Sequence, residues 1–254
     1  MSNSLKWYAI NKEYVEYLRR FDNRVQYIDY DSQFKPYIGI ILNISNFDYY
    51  VPISSVGNKP RKIEKYTKMK EDIDLFKVFD KNNKLLSVLN INNMIPINKE
   101  NVERVSYEHI DKYRSFKTPL EKKRYVYFLQ VELAVMRRSQ NYIISKASDL
   151  YDEKFKNSSS RIAKRTVDFD KVEEKCIEYS RVQTLLPELK HIINKEDLYY
   201  IYDNLNNQDE FEKVAQTLDT QIKSANIQDM SKDEINNAAS RNLTNDEVIK
   251  EDIN

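Results

Sequence analysis

The chain is poor in the residues on which several common functional sites depend. Its 254 residues include one cysteine and two glycines. A lone cysteine, Cys176, excludes an internal disulfide and any multi-cysteine zinc framework, and it suits a reducing compartment. We expect Cys176 to be a small buried group on a helix. With only Gly39 and Gly57, the chain has neither a GxGxxG motif nor a P-loop, which excludes the usual cradles for ATP and NAD.

Signals for metal binding, export and membrane insertion are missing as well. His109 and His191 lie far apart, and neither has the partner at i+4 that a metal site on a helix needs, so we expect both on the surface. No 18-residue apolar run and no signal-peptide core occur. The sequence predicts a soluble cytoplasmic protein with no membrane association, no cofactor and no metal. Any catalysis is expected to be free of metal and of histidine.

Charge is present in quantity but unevenly placed. The 41 basic and 40 acidic residues nearly cancel over the whole chain. Residues 196–254, however, hold 14 acidic and 5 basic residues, which leaves 36 basic and 26 acidic residues in the first 195. The hydrophobic content of 41% is adequate for a packed core, and 254 residues are enough for one substantial domain with an appendage. We predict a basic domain over 1–183 and an acidic helical extension over 184–254.

Local patterns predict an α+β fold. Asn11 is an N-cap candidate for a helix over about 12–21. Runs of β-branched and aromatic residues predict strands at 37–44, 48–54, 74–79 and 85–97. Short, hairpin-linked strands of this kind favour a small, strongly curved antiparallel sheet or half-barrel.

Between and beyond the strands the patterns differ. The segment 59–70 contains six basic residues and one acidic residue, and we predict a basic loop there. Thr118 and Pro119 have the residue types of an N-cap and a first helical position, and they begin a helix predicted to run for about 30 residues. The stretch DFDKVEEKCIEYSRV predicts a further helix.

The first half of the chain contains side chains that suit a phosphate-rich ligand with unpaired bases. Ser54 and Ser55 end a predicted strand, and cations and phenols lie nearby in the sequence: Lys35, Lys59, Arg61, Lys62, Lys65, Tyr27, Tyr30 and Tyr37. Cations neutralise phosphates, phenol rings stack on bases and hydroxyls bind phosphate oxygens. RNA can be cut without a metal, because its 2'-hydroxyl attacks its own phosphate. Serine is a poor general base, so we expect Ser55 to hold the phosphate.

Plainer interpretations remain open on this evidence. A Ser-Ser pair that closes a strand commonly forms a turn. A basic segment is commonly a solvated connection. Tyrosines beside strands commonly pack in the core or at its rim. Composition and spacing alone therefore leave both an RNA-binding domain and a protein-interaction module with an acidic tail as hypotheses.

Four segments, in order, carry a resemblance to a known family. WYAINKEYVEYLRRFDNRV, KPYIGIILNI, YYVPISS and LLSVLNINNMIPI are similar to the ToxN/AbiQ endoribonuclease toxins of type III toxin–antitoxin systems, over residues 7 to about 180. The resemblance implies a compact Kid/MazF-like antiparallel β-barrel core with added helices. It implies metal-independent cleavage of adenine-rich cellular or phage RNA, leaving a 2',3'-cyclic phosphate. It also implies inhibition by a pseudoknot-forming repeat RNA, a ring-shaped protein–RNA assembly, and phage defence by abortive infection.

The resemblance also implies roles for particular residues. It places Ser55, Ser54, Lys59 and Lys35 in catalysis and Tyr14 and Tyr30 in contact with RNA. Arg61, Lys62 and Lys65 are expected RNA contacts because they belong to the basic segment 59–70. Relatives commonly read Ser-Pro-Lys where this chain reads SSVGNKPRK, so Lys59 takes the lysine role only if the loop is two residues longer. The displaced lysine supports an alternative, an RNA-binding module that has lost cleavage. For the extension 184–254 the hypothesis is a modulator of RNA access or partner choice, against a plain solvated appendage.

Overall fold

The structure is a computed structural model that describes residues 4–26, 35–57 and 59–185, with the side chains described as far as residue 180. The chain divides into two units, Met1–Ser180 and Arg181–Asn254. Apart from the end of the last helix, the second unit lies outside the described residues, as does the predicted acidic extension. No helix in the described part of the chain combines the length and apolarity that crossing a membrane requires.

The described elements alternate strands with helices before the chain becomes helical. The strands are β1 (Lys6–Ile10), β2 (Tyr37–Ile44), β3 (Phe47–Ser55), β4 (Phe76–Phe79), β5 (Leu85–Leu89), β6 (Ile95–Pro96) and β7 (Val102–Arg104). The helices are α1 (Lys12–Phe21), α2 (Pro60–Lys68), α3 (Pro119–Arg138), α4 (Gln140–Lys156), α5 (Arg161–Arg165) and α6 (Phe169–Leu185). Short 3₁₀ turns occur at Ile91–Asn93, Lys99–Asn101 and Ile110–Lys112.

The seven strands form one antiparallel sheet that is open. Its order is β4-β5-β3-β2-β1-β7, and β6 also pairs with β3. Among the described strands, β4 and β7 are the two edges and do not pair with each other, so the expected closed barrel is wrong for this structure. The coarser prediction of an α+β fold with an antiparallel sheet is confirmed.

The strand predictions need two further corrections. The predicted strand 85–97 is interrupted, because a 3₁₀ turn at Ile91–Asn93 separates β5 from β6. The sequence pattern also predicts neither β1 nor β7. Each has five residues or fewer, and each is held mainly by its ladder to a neighbouring strand rather than by a local pattern of its own.

Helix α1 forms where its sequence predicts. The Asn11 side chain accepts hydrogen bonds from the backbone N–H groups of Glu13 and Tyr14, which satisfies donors that a helix start leaves without partners. Tyr14 and Tyr17 lie on its buried face and contact the Tyr179 ring of α6, with centroids 5.0 and 5.2 Å apart. This packing joins the first helix to the last described one.

The segment predicted to be a basic loop is a helix. Pro60 stands at the start of α2, where its missing N–H is no loss. Ile63, Tyr66 and Met69 then recur at three-residue intervals and pack against a buried cluster of Val56, Leu75, Leu85 and Val88. The prediction of a loop is wrong because these three apolar positions among many lysines are enough for one amphipathic face.

The long helix predicted from Pro119 is two helices. Ser139, with φ −100° and ψ 13°, ends α3 and begins α4. Two side chains beside this break hold the backbone of Leu5: Arg137 Nε donates to its carbonyl at 2.9 Å, and Gln140 Oε1 accepts from its N–H at 3.0 Å. Both helices therefore contribute a hydrogen bond to the residue that precedes β1.

Cys176 lies on α6, as predicted, and is fully buried. Its thiol donates to Asn98 Oδ1 at 3.1 Å. Burial raises the pKa of the thiol to about 11. The thiolate is therefore scarce at neutral pH, and a packing role is the one that fits this cysteine.

Candidate RNA-binding and catalytic pocket

The two serines lie at the point where β3 leaves its hairpin partner and changes neighbours. Up to Pro52 the strand pairs with β2, and from Ile53 to Ser55 it pairs with β5. Ser55 is its last residue and is exposed, while Ser54 is half-buried. A strand end of this kind presents side chains from a rigid backbone, which suits a binding site.

The register of the hairpin brings Lys35 to the serines. Tyr37 of β2 is paired with Pro52, and the Ile53 N–H donates to the Pro36 carbonyl at 3.4 Å. Continuing this antiparallel register places Lys35 level with Ser54. Lys35 and both serines line the same cavity. Strand pairing thus brings together Lys35 and Ser54, which are 19 residues apart in the sequence.

Ser54 is oriented by a neighbouring amide. Asn90 Nδ2 donates to Ser54 Oγ at 2.9 Å, and the Asn90 backbone N–H donates to the Pro52 carbonyl at 3.2 Å. A hydroxyl that accepts one hydrogen bond keeps its own O–H for donation. Asn90 therefore leaves the Ser54 hydroxyl able to donate to an oxygen of a ligand. The asparagine is 9% exposed and belongs to the predicted strand 85–97, where nothing in the sequence marks it as part of a site.

The serine cavity, as we call the space lined by Ser54, Ser55 and their neighbours, has a volume of about 640 Å³. Among the described residues its lining includes five basic side chains and one acidic one. The basic residues are Lys35, Lys59, Lys62, Arg114 and Arg124, and the acidic residue is Glu121, whose carboxylate lies 3.7 Å from Arg114. This excess of positive charge, in a partly enclosed space, favours a phosphate.

The cations also act on one another. Burial, together with the positive charges of Lys62 and Arg19, lowers the pKa of Lys35 to about 8. An amine with such a pKa gives up its charge readily, and an incoming phosphate restores that charge.

The opposite wall is aromatic and comes from α3 and the segment before it. Tyr125 and Phe128 line the cavity, and the Arg114 guanidinium lies 4.6 Å from the centroid of the Tyr125 ring. Burial raises the pKa of Tyr125 to about 12, so its phenol stays neutral. Flat rings and a guanidinium plane suit stacking on a base. Sequence reasoning missed Arg114, Arg124, Tyr125 and Phe128, although the basic and aromatic residues interleaved in KKRYVYF were a usable signal.

The other predicted RNA contacts are distributed differently. Lys59 precedes α2 as its N-cap residue, and Lys62 follows in its first turn, so both reach the cavity. Arg61 and Lys65 are exposed on the same helix but are not part of the lining. Tyr30 lies outside the described residues.

The structure contradicts a direct contact between Tyr14 and RNA. Its side chain is 0% exposed, and its hydroxyl donates to the Pro96 carbonyl at 2.7 Å. The tyrosine faces inward because it lies on the apolar stripe of α1. Its role in this structure is in the core.

A second cavity of about 700 Å³ lies beside Trp7, Arg104 and Arg137. None of the predicted catalytic side chains lines it. Among the described residues, no group of three or more His, Cys, Asp and Glu side chains is placed to hold a metal ion. His109 is exposed, as predicted, and His191 lies outside the described residues.

Comparison with known proteins gives consistent relatives. A family model described as toxin ToxN of a type III toxin–antitoxin system matches residues 6–177. Endoribonuclease ToxN of Bacillus thuringiensis subsp. kurstaki is 25% identical over 179 residues, covering 68% of this chain and 84% of that protein. Endoribonuclease AbiQ of Lactococcus lactis subsp. lactis is 27% identical over 183 residues, covering 71% of this chain and 92% of that protein.

Two solved structures share the fold. One belongs to a study of selective toxin inhibition by a non-coding RNA pseudoknot in type III toxin–antitoxin systems. It superposes with a TM-score of 0.58 at 24% identity, covering 70% of this chain and 99% of that one. The other is of AbiQ, described as a lactococcal anti-phage endoribonuclease, with a TM-score of 0.56, 24% identity and the same coverage.

Proposed function

The chain belongs to the ToxN family of toxins from type III toxin–antitoxin systems, and on that premise we propose that it is a metal-independent endoribonuclease that cuts adenine-rich RNA in the serine cavity. The observation that carries this proposal is that Ser54, Ser55, Lys35 and Lys59 line one strongly basic space. Four segments of the chain contribute to it, and its charge and hydroxyl groups match what a phosphodiester requires.

The chemistry assigned to the cavity is transesterification. The ribose O2' forms a bond to the adjacent phosphorus while the bond from phosphorus to O5' breaks, giving a 2',3'-cyclic phosphate and a 5'-hydroxyl. The 2'-hydroxyl gives up its proton, and the leaving O5' gains one. Because nucleophile and electrophile belong to one nucleotide, the protein has to orient them and to stabilise charge on the phosphorane oxygens.

Each residue of the cavity has a role in that scheme. Ser55 and Ser54 donate hydrogen bonds to nonbridging oxygens, and Asn90 keeps the Ser54 hydroxyl in place. Lys59 and Lys35 supply positive charge where negative charge develops. Tyr125, backed by Arg114, offers a ring for a base next to the scissile phosphate. Lys62 and Arg124 bind neighbouring phosphates, and Arg61 and Lys65 extend the basic surface along α2.

The partner that fits the same cavity is an inhibitory RNA. One relative of shared fold is described as inhibited by a non-coding RNA pseudoknot. We propose that a pseudoknot-forming repeat RNA occupies the serine cavity of this chain, that the two form a ring-shaped assembly, and that release of the toxin on infection aborts phage growth by cleavage of cellular or phage RNA. A cavity built for substrate phosphates binds such an inhibitor by the same contacts.

The test of the proposed reaction uses two RNAs of identical adenine-rich sequence. One is ordinary RNA, and the other carries 2'-deoxyadenosine at every adenine. In excess EDTA, the wild-type chain is expected to cut the first into fragments ending in a 2',3'-cyclic phosphate and to leave the second intact at adenine positions, because the second lacks the nucleophile. Mass spectrometry of the fragments gives the end groups.

Other outcomes have equally definite meanings. Cleavage of the deoxy-substituted RNA at adenines would show that the 2'-hydroxyl is not the nucleophile. Binding of both RNAs without cleavage of either would favour the alternative, an RNA-binding module without catalysis. The departure from Ser-Pro-Lys in SSVGNKPRK is the observation behind that alternative, and the presence of Lys59 in the serine cavity weighs against it.

Lys59 is expected to matter to the chemical step. Lys59→Ala removes a charge from the cavity lining, and we expect kcat to fall on the order of 10²-fold, the usual cost of one transition-state donor. Lys65→Ala is the matched control, since it removes an equal charge from the same helix outside the lining. We expect it to raise KM modestly, to reduce the salt dependence of binding and to leave kcat unchanged. Equal losses of kcat in the two variants would remove Lys59 from the reaction.

A further inference from the structure

A buried carboxyl group lies behind the serine cavity and takes no part in the reaction described above. Glu132 belongs to α3, and its side chain is 0% exposed. Among the described residues, neither of its carboxyl oxygens has a hydrogen-bond partner of ordinary geometry. A charged carboxylate in such a place is costly, and buried polar atoms without partners are rare in proteins. An acid in this position therefore calls for an explanation beyond packing.

Two residues connect Glu132 to the cavity. The first is Ser87, whose hydroxyl is close enough to influence the carboxyl and is also without an ordinary hydrogen-bond partner. Ser87 of β5 is paired directly with Ser55 of β3. Side chains directly opposite each other in an antiparallel pair lie on the same face, with Cβ atoms about 5 Å apart. Glu132 is thus separated from the predicted phosphate-holding serine by one residue.

The second of these residues is Tyr125, on the same helix. Tyr125 lies seven residues before Glu132, which is about two turns of an α-helix, so both lie on the same side of α3. Tyr125 lines the serine cavity, and the Glu132 charge contributes to the raised pKa of its phenol. Glu132 is therefore linked to the cavity in two ways, to Ser55 through Ser87 and to Tyr125 along α3.

The pKa of Glu132 depends on its immediate surroundings. Burial raises the pKa of the carboxyl to about 8, and the Ser87 hydroxyl opposes this rise. The cations of β4 and α4, two elements that pack on α3, are engaged elsewhere. Lys77 of β4 donates to the carbonyls of Thr67 and Met69, and Lys146 of α4 donates to those of Asp72 and Leu75. Further along α4, Lys154 donates to the carbonyls of Ala163 and Thr166, and Lys156 donates to the Asp152 carboxylate. Among the described residues, no charged side chain offsets a negative charge on Glu132.

We propose that Glu132 is a positioning residue of the serine cavity: as a neutral acid it holds Ser87 against Ser55, and when it carries a negative charge the cavity binds RNA phosphate more weakly. The inference rests on the proposed function in taking RNA phosphate as the ligand. Its physical basis is that a buried charge is poorly screened, so a carboxylate one residue behind Ser55 repels a phosphate in front of it. A protonated carboxyl exerts no such repulsion and can donate a hydrogen bond to Ser87.

The test is the pH dependence of binding, measured with RNA that carries 2'-deoxyadenosine at every adenine. In the wild-type chain, Kd is expected to increase as pH rises through about 8. The Gln side chain of Glu132→Gln has the same shape and stays neutral. In this variant the increase in Kd is expected to be smaller by about 3- to 10-fold, a factor that corresponds to weak repulsion across a partly screened distance. Lys35 loses charge over the same range in both proteins, so the difference between the two profiles belongs to Glu132.

Two further variants make the result specific. Glu121→Gln removes a carboxylate from the same helix at the cavity rim, and it is expected to lower Kd by a constant factor without altering the shape of the profile. Ser87→Ala removes the hydroxyl that opposes the raised pKa of Glu132, so the increase in Kd is expected at higher pH than in the wild-type chain. Ser87→Ala also keeps the proposal testable if Glu132→Gln does not fold.

Parallel profiles for the wild-type chain and Glu132→Gln would overturn the proposal, as would an unshifted profile in Ser87→Ala. Because the readout is binding of an RNA that cannot be cut at adenines, it does not depend on catalysis. Failure of cleavage would count against the proposed function, whereas failure of this pH dependence would count against the role of Glu132.

Discussion

Ser55→Ala is expected to lower kcat for RNA cleavage by about 10²- to 10³-fold while leaving the fold intact. The hydroxyl lies at an exposed strand end that borders the serine cavity, so its removal deletes a donor to the phosphate without opening a gap in the core. The loss of one preorganised donor to a developing oxyanion lowers kcat by about 10²- to 10³-fold. Initial rates on adenine-rich RNA in EDTA measure the loss, and thermal unfolding checks the fold.

The controls for Ser55 separate its role from that of any other serine. Ser148→Ala makes the same chemical change at an exposed position of α4 and is expected to behave as wild type. Ser54→Ala is expected to lower kcat and also to cost about 1 kcal/mol of stability, because Asn90 Nδ2 loses its acceptor. If Ser55→Ala cleaves at the wild-type rate, the two serines are only a strand-to-turn transition, and the phosphate must be held by the cations.

Gly39→Ala is expected to cause a large loss of stability for a change of one methyl group, and a larger one than Gly57→Ala. A Cβ atom at Gly39 would lie 2.6 Å from Cε1 of Tyr50 and closer still to Cδ1. The Tyr50 ring is 4% exposed and makes an edge contact with Tyr8, with centroids 5.0 Å apart, so it has little room to retreat. Overpacking of this kind costs about 3 kcal/mol, or a Tm lower by about 6 to 12 °C in a domain of this size.

Gly57→Ala is the matched control for Gly39, since it makes the same substitution at the other glycine. No described atom lies within 4 Å of a Cβ at Gly57, but its φ of +55° strains an alanine by roughly 1 kcal/mol. A second check is Gly39→Ala in a Tyr50→Leu background, where the smaller side chain leaves room and the added cost of the methyl group should shrink. Equal Tm losses at both glycines would mean that Tyr50 does not confine Gly39.

Prediction from sequence was most successful where short-range chemistry decides the outcome. Helix α1 follows from the Asn11 cap and the spacing of its apolar residues, and β2 and β3 follow from runs of β-branched and aromatic residues. It failed at α2, where three apolar residues among lysines form a face only because the cluster around Val56 is there to receive them. It failed again at Ser139, where the helix breaks and both flanking side chains hold the backbone of Leu5.

The candidate site shows the same division. Ser54, Ser55, Lys35, Lys59 and Lys62 are all predicted, and they share one cavity in the structure. Arg114, Arg124 and Tyr125 are not predicted: KKRYVYF has the residue types of a nucleic-acid contact, but the sequence does not show that this segment lies beside the serines. Tyr14 is assigned to RNA by resemblance alone, and the packing of α1 against α6 turns it inward.

The amino-acid sequence by itself determined the available chemistry: a single cysteine, no phosphate-binding glycine loop, an excess of cations in the first 195 residues, and the ordered segments that mark the family. The tertiary structure alone decided which of those groups work together. Strand register places Lys35 level with Ser54, helix packing brings Tyr125 to the cavity wall, and burial raises the pKa of the Glu132 carboxyl. The reason is physical, since residue types are local properties, whereas proximity and pKa depend on which distant segments exclude water from one another.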